Sequence, residues 1–256
     1  MQDVTKLVGL LWALFSMTLA FFLLRKNWMN KWVSVSILLI SVLLGFSIFS
    51  PMLPFQFQEI LIPNGGGKGP GFLLPLIGLL VIVVSSSALG RTFCGYSCPV
   101  GALQELMYRI PVPKLRWGKK WILLVFRWAF LAAMIVSGLL FGVSFLYYLG
   151  GSSFFRLDPF GWPFYVFAFL AVLSLFYYRP ICRIFCPVGA LMSLSALIRG
   201  ARFRRNENCT DCGKCERACP VDEAGPDDLK LECYACNRCR EACPFDALDY
   251  TFGKGR

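Results

Sequence analysis

The chain of 256 residues contains no histidine. That absence excludes His-ligated haem, imidazole-bound zinc and a Ser–His–Asp triad. No C-x-x-C-H occurs, so no c-type haem is attached. Acidic residues are scarce before residue 201, with four Asp or Glu against sixteen Lys or Arg. A secretory leader is not legible either. The first apolar run lacks a basic start and an A-x-A-like site, so it is read as a retained helix. The stretch 63–71, PNGGGKGPG, has no G-x-x-x-x-G-K-[ST] pattern and is read as an outside turn, not a phosphate loop. No catalytic acid–base or nucleophile constellation is visible.

Apolar residues and cysteine are abundant. Hydrophobic residues make up 57% and the mean hydropathy is +0.60. The apolar excess sits in five runs, 7–24, 32–50, 72–89, 121–149 and 163–178. About 20 apolar residues cross a bilayer core, and the backbone in lipid must bond to itself, so these runs predict five membrane helices. The net charge of +11 belongs to the membrane part, because residues 201–256 carry ten basic and eleven acidic groups. This distribution gives no basic groove for nucleic acid. With the N-terminus outside, thirteen Lys or Arg fall inside and only Lys6, Lys68 and Arg156 fall outside. The positive-inside rule therefore predicts a multi-pass protein of the cytoplasmic membrane, N-out and C-in. Arg127, near the start of the fourth run, is read as snorkelling to the interface, with a buried carboxylate or cofactor partner as the alternative. Glu59, Glu105, Arg156 and Asp158 are the few charges near the runs and are read mostly as interfacial.

An internal repeat follows from the cysteines. Arg91-Thr-Phe-Cys94-Gly-Tyr-Ser-Cys98-Pro-Val-Gly-Ala-Leu103 aligns without a gap on Arg179-Pro-Ile-Cys182-Arg-Ile-Phe-Cys186-Pro-Val-Gly-Ala-Leu191. Each C-x-x-x-C-P copy follows the second helix of a hairpin, which predicts a parallel duplication about an axis along the membrane normal. The two motifs then meet at one depth on the cytoplasmic side. Cys94, Cys98, Cys182 and Cys186 could converge on a third iron–sulfur cluster, on Cu(I) or zinc, on redox-active dithiols, or on mere packing. Pro99 and Pro187 are expected to open new helices at their first turn.

The tail carries the sharpest signal. Cys209-x₂-Cys212-x₂-Cys215-x₃-Cys219-Pro220 repeats as Cys233-x₂-Cys236-x₂-Cys239-x₃-Cys243-Pro244. In bacterial two-cluster ferredoxins the fourth cysteine of such a run serves the other cluster. Cys209, Cys212, Cys215 and Cys243 are thus expected to hold one [4Fe–4S] cluster, and Cys233, Cys236, Cys239 and Cys219 the other. Zinc rarely uses eight cysteines in this order, and a reducing cytoplasm disfavours disulfides. A tail of this size needs its clusters for stability. Phe245, Ala247, Leu248, Tyr250 and Phe252 are read as its core and closing strand. The basic stretch 199–205 is read as binding anionic lipid heads rather than as a solvated linker.

The expected architecture is a membrane all-α domain over 1–200, with a hairpin-plus-C-x-x-x-C-P repeat, followed by a small α+β ferredoxin-like domain over 201–256. Paired C-x-x-x-C-P motifs between membrane helices, with this tail, resemble the NapH type of membrane iron–sulfur protein. The resemblance covers residues 35–256 and implies quinol oxidation or electron relay to a redox partner protein, as a subunit of a larger complex. The five runs differ from the four spans usual in that family. A copper-handling branch with similar motifs keeps a second expectation: an assembly factor that binds or reduces copper at the membrane cysteines.

Overall fold

The computed structural model describes residues 2–48, 73–116, 118, 120–142, 145–195 and 200–252. The loop 63–71, Glu59, Lys68 and Arg199 lie outside these. Each apolar run yields helix, because in an apolar setting the backbone must pair its own N–H and C=O groups, which a helix does within one segment. They form α1 (Gln2–Arg25), α2 (Lys31–Ile48), α3 (Leu73–Leu89), α5 (Lys120–Phe141) and α8 (Trp162–Leu173). Leu11, Phe15, Leu43, Val125, Leu140 and Phe169 are each at least half exposed, an apolar outer surface characteristic of a face turned to lipid. Two stretches, Leu7–Arg25 and Lys120–Phe141, are long and apolar enough to cross a bilayer, while Lys31–Ser47, Leu76–Leu89 and Trp162–Leu173 are shorter.

The fourth run is not one helix. It ends at Phe141, and Gly142 follows with φ +64°, the left-handed conformation that closes a helix C-terminus. Two short helices, α6 (Phe145–Tyr148) and α7 (Gly151–Phe155), then fold the chain back toward α8. Gly150 makes this corner possible. Its φ is +69°, and a Cβ there would lie 1.7 Å from the Pro163 carbonyl oxygen. The fifth run also stops early, at Leu173, and gives way to turns.

Both C-x-x-x-C-P motifs have one conformation. Phe93–Ser97 and Ile181–Phe185 are single π-helical turns, and in the first the Cys98 N–H reaches back five residues to the Phe93 carbonyl at 3.0 Å. Such insertions widen a helix by one residue and cluster at functional sites. The second cysteine of each motif turns extended, and the proline opens α4 (Pro99–Arg109) and α9 (Pro187–Ser195). Proline fits there because its missing N–H would be unpaired in any first turn.

The tail begins with β1 (Arg202–Arg205), which pairs antiparallel with β2 (Leu248–Thr251) so that Phe203 faces Tyr250. Between them lie α10 (Lys214–Ala218) and α11 (Arg238–Glu241). Arg205 bonds Asp211 and Glu216, each at 2.6 Å, and Arg202 bonds the Leu229 carbonyl at 3.3 Å. These arginines therefore stabilise the tail itself, and the lipid-binding expectation gives way for them. Ala247, Leu248 and Tyr250 are buried as expected, but Phe245 and Phe252 are nearly half exposed. Phe252 instead meets Phe21 of α1, with ring centroids 5.6 Å apart.

The tail is docked, not tethered. Arg240 donates to the Leu24 carbonyl at 2.6 Å, Asn237 to that of Met29 at 2.9 Å and Tyr250 to that of Leu89 at 2.7 Å. Leu24 and Leu89 are the last-turn residues of α1 and α3, whose carbonyls have no intrahelical partner. In the other direction Tyr96 donates to the Ala235 carbonyl at 3.0 Å.

Candidate iron–sulfur and cysteine centres

None of the twelve cysteines is joined in a disulfide. Among the described residues no three Cys, Asp or Glu gather tightly enough to hold one metal ion. A [4Fe–4S] cube is larger than an ion, and its ligand sulfurs stand correspondingly further apart. The tail cysteines sort around two hollows. One, of about 460 Å³, is lined by Cys219, Cys233, Cys236 and Cys239 together with Tyr178 and Tyr234. The other, smaller, is lined by Cys209, Cys212, Cys215 and Cys243. These are the two sets that the spacing assigns.

Local chemistry at these sulfurs suits a cluster. The Glu223 N–H approaches Cys219 Sγ at 3.4 Å, and the Ala247 N–H approaches Cys243 Sγ at 3.4 Å. Both bonds span four residues across a Cys-Pro turn, so the two halves of the tail are built alike. N–H groups aimed at ligand sulfur stabilise thiolate and help set cluster potential. Left-handed Asn237 and Gly213 start the helices that carry Cys239 and Cys215.

The membrane cysteines come together. Cys94, Cys98 and Cys182 are buried in one core cluster, with Cys186 packed against it and Cys219 of the tail at its edge. Gln104 locks the two motifs: its Nε2 donates to Cys182 Sγ at 3.2 Å, and its Oε1 accepts the Ile181 N–H at 2.9 Å. The Gly189 N–H lies 3.3 Å from Cys186 Sγ. Burial pushes the Cys98 thiol up to about 12 and that of Cys182 up to about 11, the latter despite the pull of Arg179. Such thiols stay protonated at neutral pH unless a metal takes the proton's place.

Around the thiols lies a charge network that the sequence did not reveal. Arg91 and Arg179 are the matching first residues of the two repeats, and each crosses to the other motif. Arg179 donates to the carbonyls of Cys94 and Gly95, and Arg91 to that of Gly189. Both guanidiniums stack on Tyr234 of the tail, 4.5 and 4.8 Å from its centroid. Glu105 receives Arg179 at 3.0 Å, Arg238 at 2.5 Å, Arg109 at 3.5 Å and the Tyr178 hydroxyl at 2.8 Å. Burial pushes the Glu105 carboxyl up, but Arg238, Arg179 and Arg109 together hold it well below the usual carboxylate range. Ser193 occupies the position in the second repeat that Glu105 occupies in the first. There the tail supplies the missing acid. Glu232 meets Arg127 at 2.6 Å, Arg91 at 3.3 Å and Arg183 at 3.5 Å, and Ser193 bonds Arg127 at 3.1 Å.

Two readings change accordingly. Arg127 is fully buried on a carboxylate and does not snorkel. Glu105 is equally buried rather than interfacial, while Asp158 stays exposed. The signal for Glu105 was its rarity, one of four acids in the first 200 residues; Glu232 carried none.

The family described as a 4Fe-4S binding domain matches the chain twice, at residues 72–120 and 160–206, so that each match holds one C-x-x-x-C-P motif. Uncharacterized protein MJ0750 of Methanocaldococcus jannaschii is 33% identical over 193 residues, 68% of this chain and 77% of that protein. The putative electron transport protein YccM of Escherichia coli is 33% identical over 165 residues, 56% of this chain and 44% of YccM. The methylamine utilization ferredoxin-type protein MauN of Methylorubrum extorquens is 28% identical over 190 residues, 65% of this chain and 59% of MauN. No solved structure matches the chain.

Proposed function

The chain belongs to a family of 4Fe-4S electron-transport proteins, and from that premise we propose that it relays electrons between the cytoplasmic side and a centre at the membrane cysteines. Two [4Fe–4S] clusters sit in a ferredoxin-like unit over 201–256, one on Cys209, Cys212, Cys215 and Cys243, the other on Cys233, Cys236, Cys239 and Cys219. A membrane unit over 1–200 crosses the bilayer five times, N-out and C-in, and its four motif cysteines hold a third centre. The carrying observation is adjacency: Cys219, a ligand of the inner tail cluster, packs at the edge of the core that holds Cys94, Cys98 and Cys182. The clusters supply the one-electron chemistry. The chain's own residues fix the distances, through Tyr96, Asn237, Arg240 and Tyr250, and exclude water, through Tyr178 and Tyr234.

A quinone is the lipid-side partner in this reading. A cavity of about 300 Å³ opens at the start of α5, with Trp121, Leu124, Leu229 and Leu231 on its apolar wall and charged groups, Lys120, Glu223 and Glu232 among them, on the other. That is near the lower end of ligand-pocket volumes, and it offers both apolar surface and polar groups. Glu223 also lines the hollow of the inner cluster, which puts the two within one side chain of each other.

Anaerobically purified full-length protein should hold about twelve iron atoms per chain with matching sulfide, and show three centres in a redox titration followed by electron paramagnetic resonance. About eight iron atoms with bound copper would instead favour the copper-handling assembly factor. An iron-free, colourless preparation would end the relay reading.

A further inference from the structure

Four arginines lie fully buried around the membrane cysteines: Arg91, Arg127, Arg179 and Arg183. Among the described residues two buried carboxylates, Glu105 and Glu232, answer them. The other buried charges are engaged elsewhere, Arg240 on backbone carbonyls and Glu223 beside Lys120. Arg109 stands at the partly exposed rim, while Arg238 adds a further cation on Glu105 at 2.5 Å. Among the described residues the enclosed region therefore carries an excess of at least two positive charges.

Several donors there also lack a partner. They are Arg91 Nε, Arg127 Nε and Nη1, and the Tyr234 hydroxyl. Arg127 Nη1 lies 3.6 Å from where a Gly189 side chain would begin, and Arg179 Nη1 lies 3.3 Å from where a Gly101 side chain would begin. These glycines hold matching places two residues beyond the Cys-Pro step. A cation thus lies close over each motif, Arg179 over the first and Arg127 over the second. Unpaired buried charge costs several kcal/mol per ion, so a fold that keeps this excess needs an anion inside it.

We propose that Arg91, Arg127, Arg179 and Arg183 are the built-in counter-charge of a dianionic, thiolate-bound centre at Cys94, Cys98, Cys182 and Cys186. This rests on the third-centre reading above and adds the charge that the centre carries. An oxidised [4Fe–4S] cube in four thiolates bears two negative charges. Four neutral thiols or two disulfides bear none, and one Cu(I) between two thiolates bears one. A zinc ion in four thiolates also bears two, and the iron count of the test separates it from the cube. It follows that the arginines set the potential of the membrane centre. Each positive charge favours the reduced form and each carboxylate opposes it.

The test uses full-length protein and reads midpoint potentials by electron paramagnetic resonance, with iron counted in every sample. Arg127→Gln should lower the midpoint of the membrane centre, Glu105→Gln should raise it, and Arg127→Lys should restore the parent value. Arg183→Gln is a second lowering variant should Arg127→Gln not accumulate. Opposite signs from opposite charges are what a packing role would not produce. Midpoints that stay fixed, or move the same way, with iron near twelve would overturn the counter-charge inference alone. Iron near eight in the parent protein would overturn the third centre itself.

Discussion

Glu105 shows how much one carboxylate can organise. It lies on α4, between the repeat arginine Arg179 and the tail arginine Arg238, at 2% side-chain exposure. Removing one member of a buried ion pair leaves its partners uncompensated, at a cost of about 3–5 kcal/mol. Glu105→Ala should therefore lower the thermal unfolding midpoint markedly and loosen the tail, as read by calorimetry and hydrogen exchange. The pH dependence has a definite sign. The folded pKa is depressed below the ordinary 4.5, so the stabilisation is fully present above pH 4.5. It is lost as pH falls from there through the depressed folded value. Acid unfolding of the Glu105→Gln protein should lack that step; an unchanged acid limb would remove Glu105 from the account.

Among the elements, the two π-turns matter most. The first buries all five of its residues, Phe93 to Ser97, and the second buries Ile181, Cys182 and Arg183. Their tolerance is small. A Cβ at Gly95 would lie 2.4 Å from the Tyr234 carbonyl oxygen, a backbone atom that cannot swing away. Gly90, with φ +76°, would place one 2.5 Å from the Ala201 carbonyl oxygen. Gly95→Ala should thus push the tail off the motif while leaving the membrane helices folded. Limited trypsin digestion would then release the 201–256 segment faster than from the parent chain. Equal digestion rates would mean the docked arrangement is not the one in solution.

The described residues form an apolar helical bundle with the cysteine-rich tail folded onto its cysteine-bearing end. Electron transfer depends steeply on distance, and docking replaces a tethered search by fixed contacts. The same docking creates the cavity between α5 and the tail, which neither part possesses alone. Leu124→Trp should fill that cavity and slow reduction or oxidation by a short-chain quinone several-fold. The resonance signals and iron content should not change. Undiminished quinone turnover would place that exchange elsewhere.

Composition, cysteine spacing and the repeat were enough to determine an apolar helical chain with a ferredoxin tail and two matching motifs. These are local features: a hydrophobic run becomes helix, and x₂ and x₃ intervals shape a loop, whatever lies around them. The break at Gly142 was less legible, because an apolar run does not say where a glycine will turn left-handed. The partners of Arg127, Glu105 and Glu232 were not legible, although a buried carboxylate was the alternative reading for Arg127. Glu105 meets Arg179, and Glu232 meets Arg127 and Arg91, across 74 to 141 positions, and only the folded chain decides which buried charge meets which. Tertiary structure also decided that Tyr234 lies between the two repeat arginines. A charge buried in a low-dielectric interior depends on its neighbours for its whole energy, and neighbours across a fold are not written in spacing.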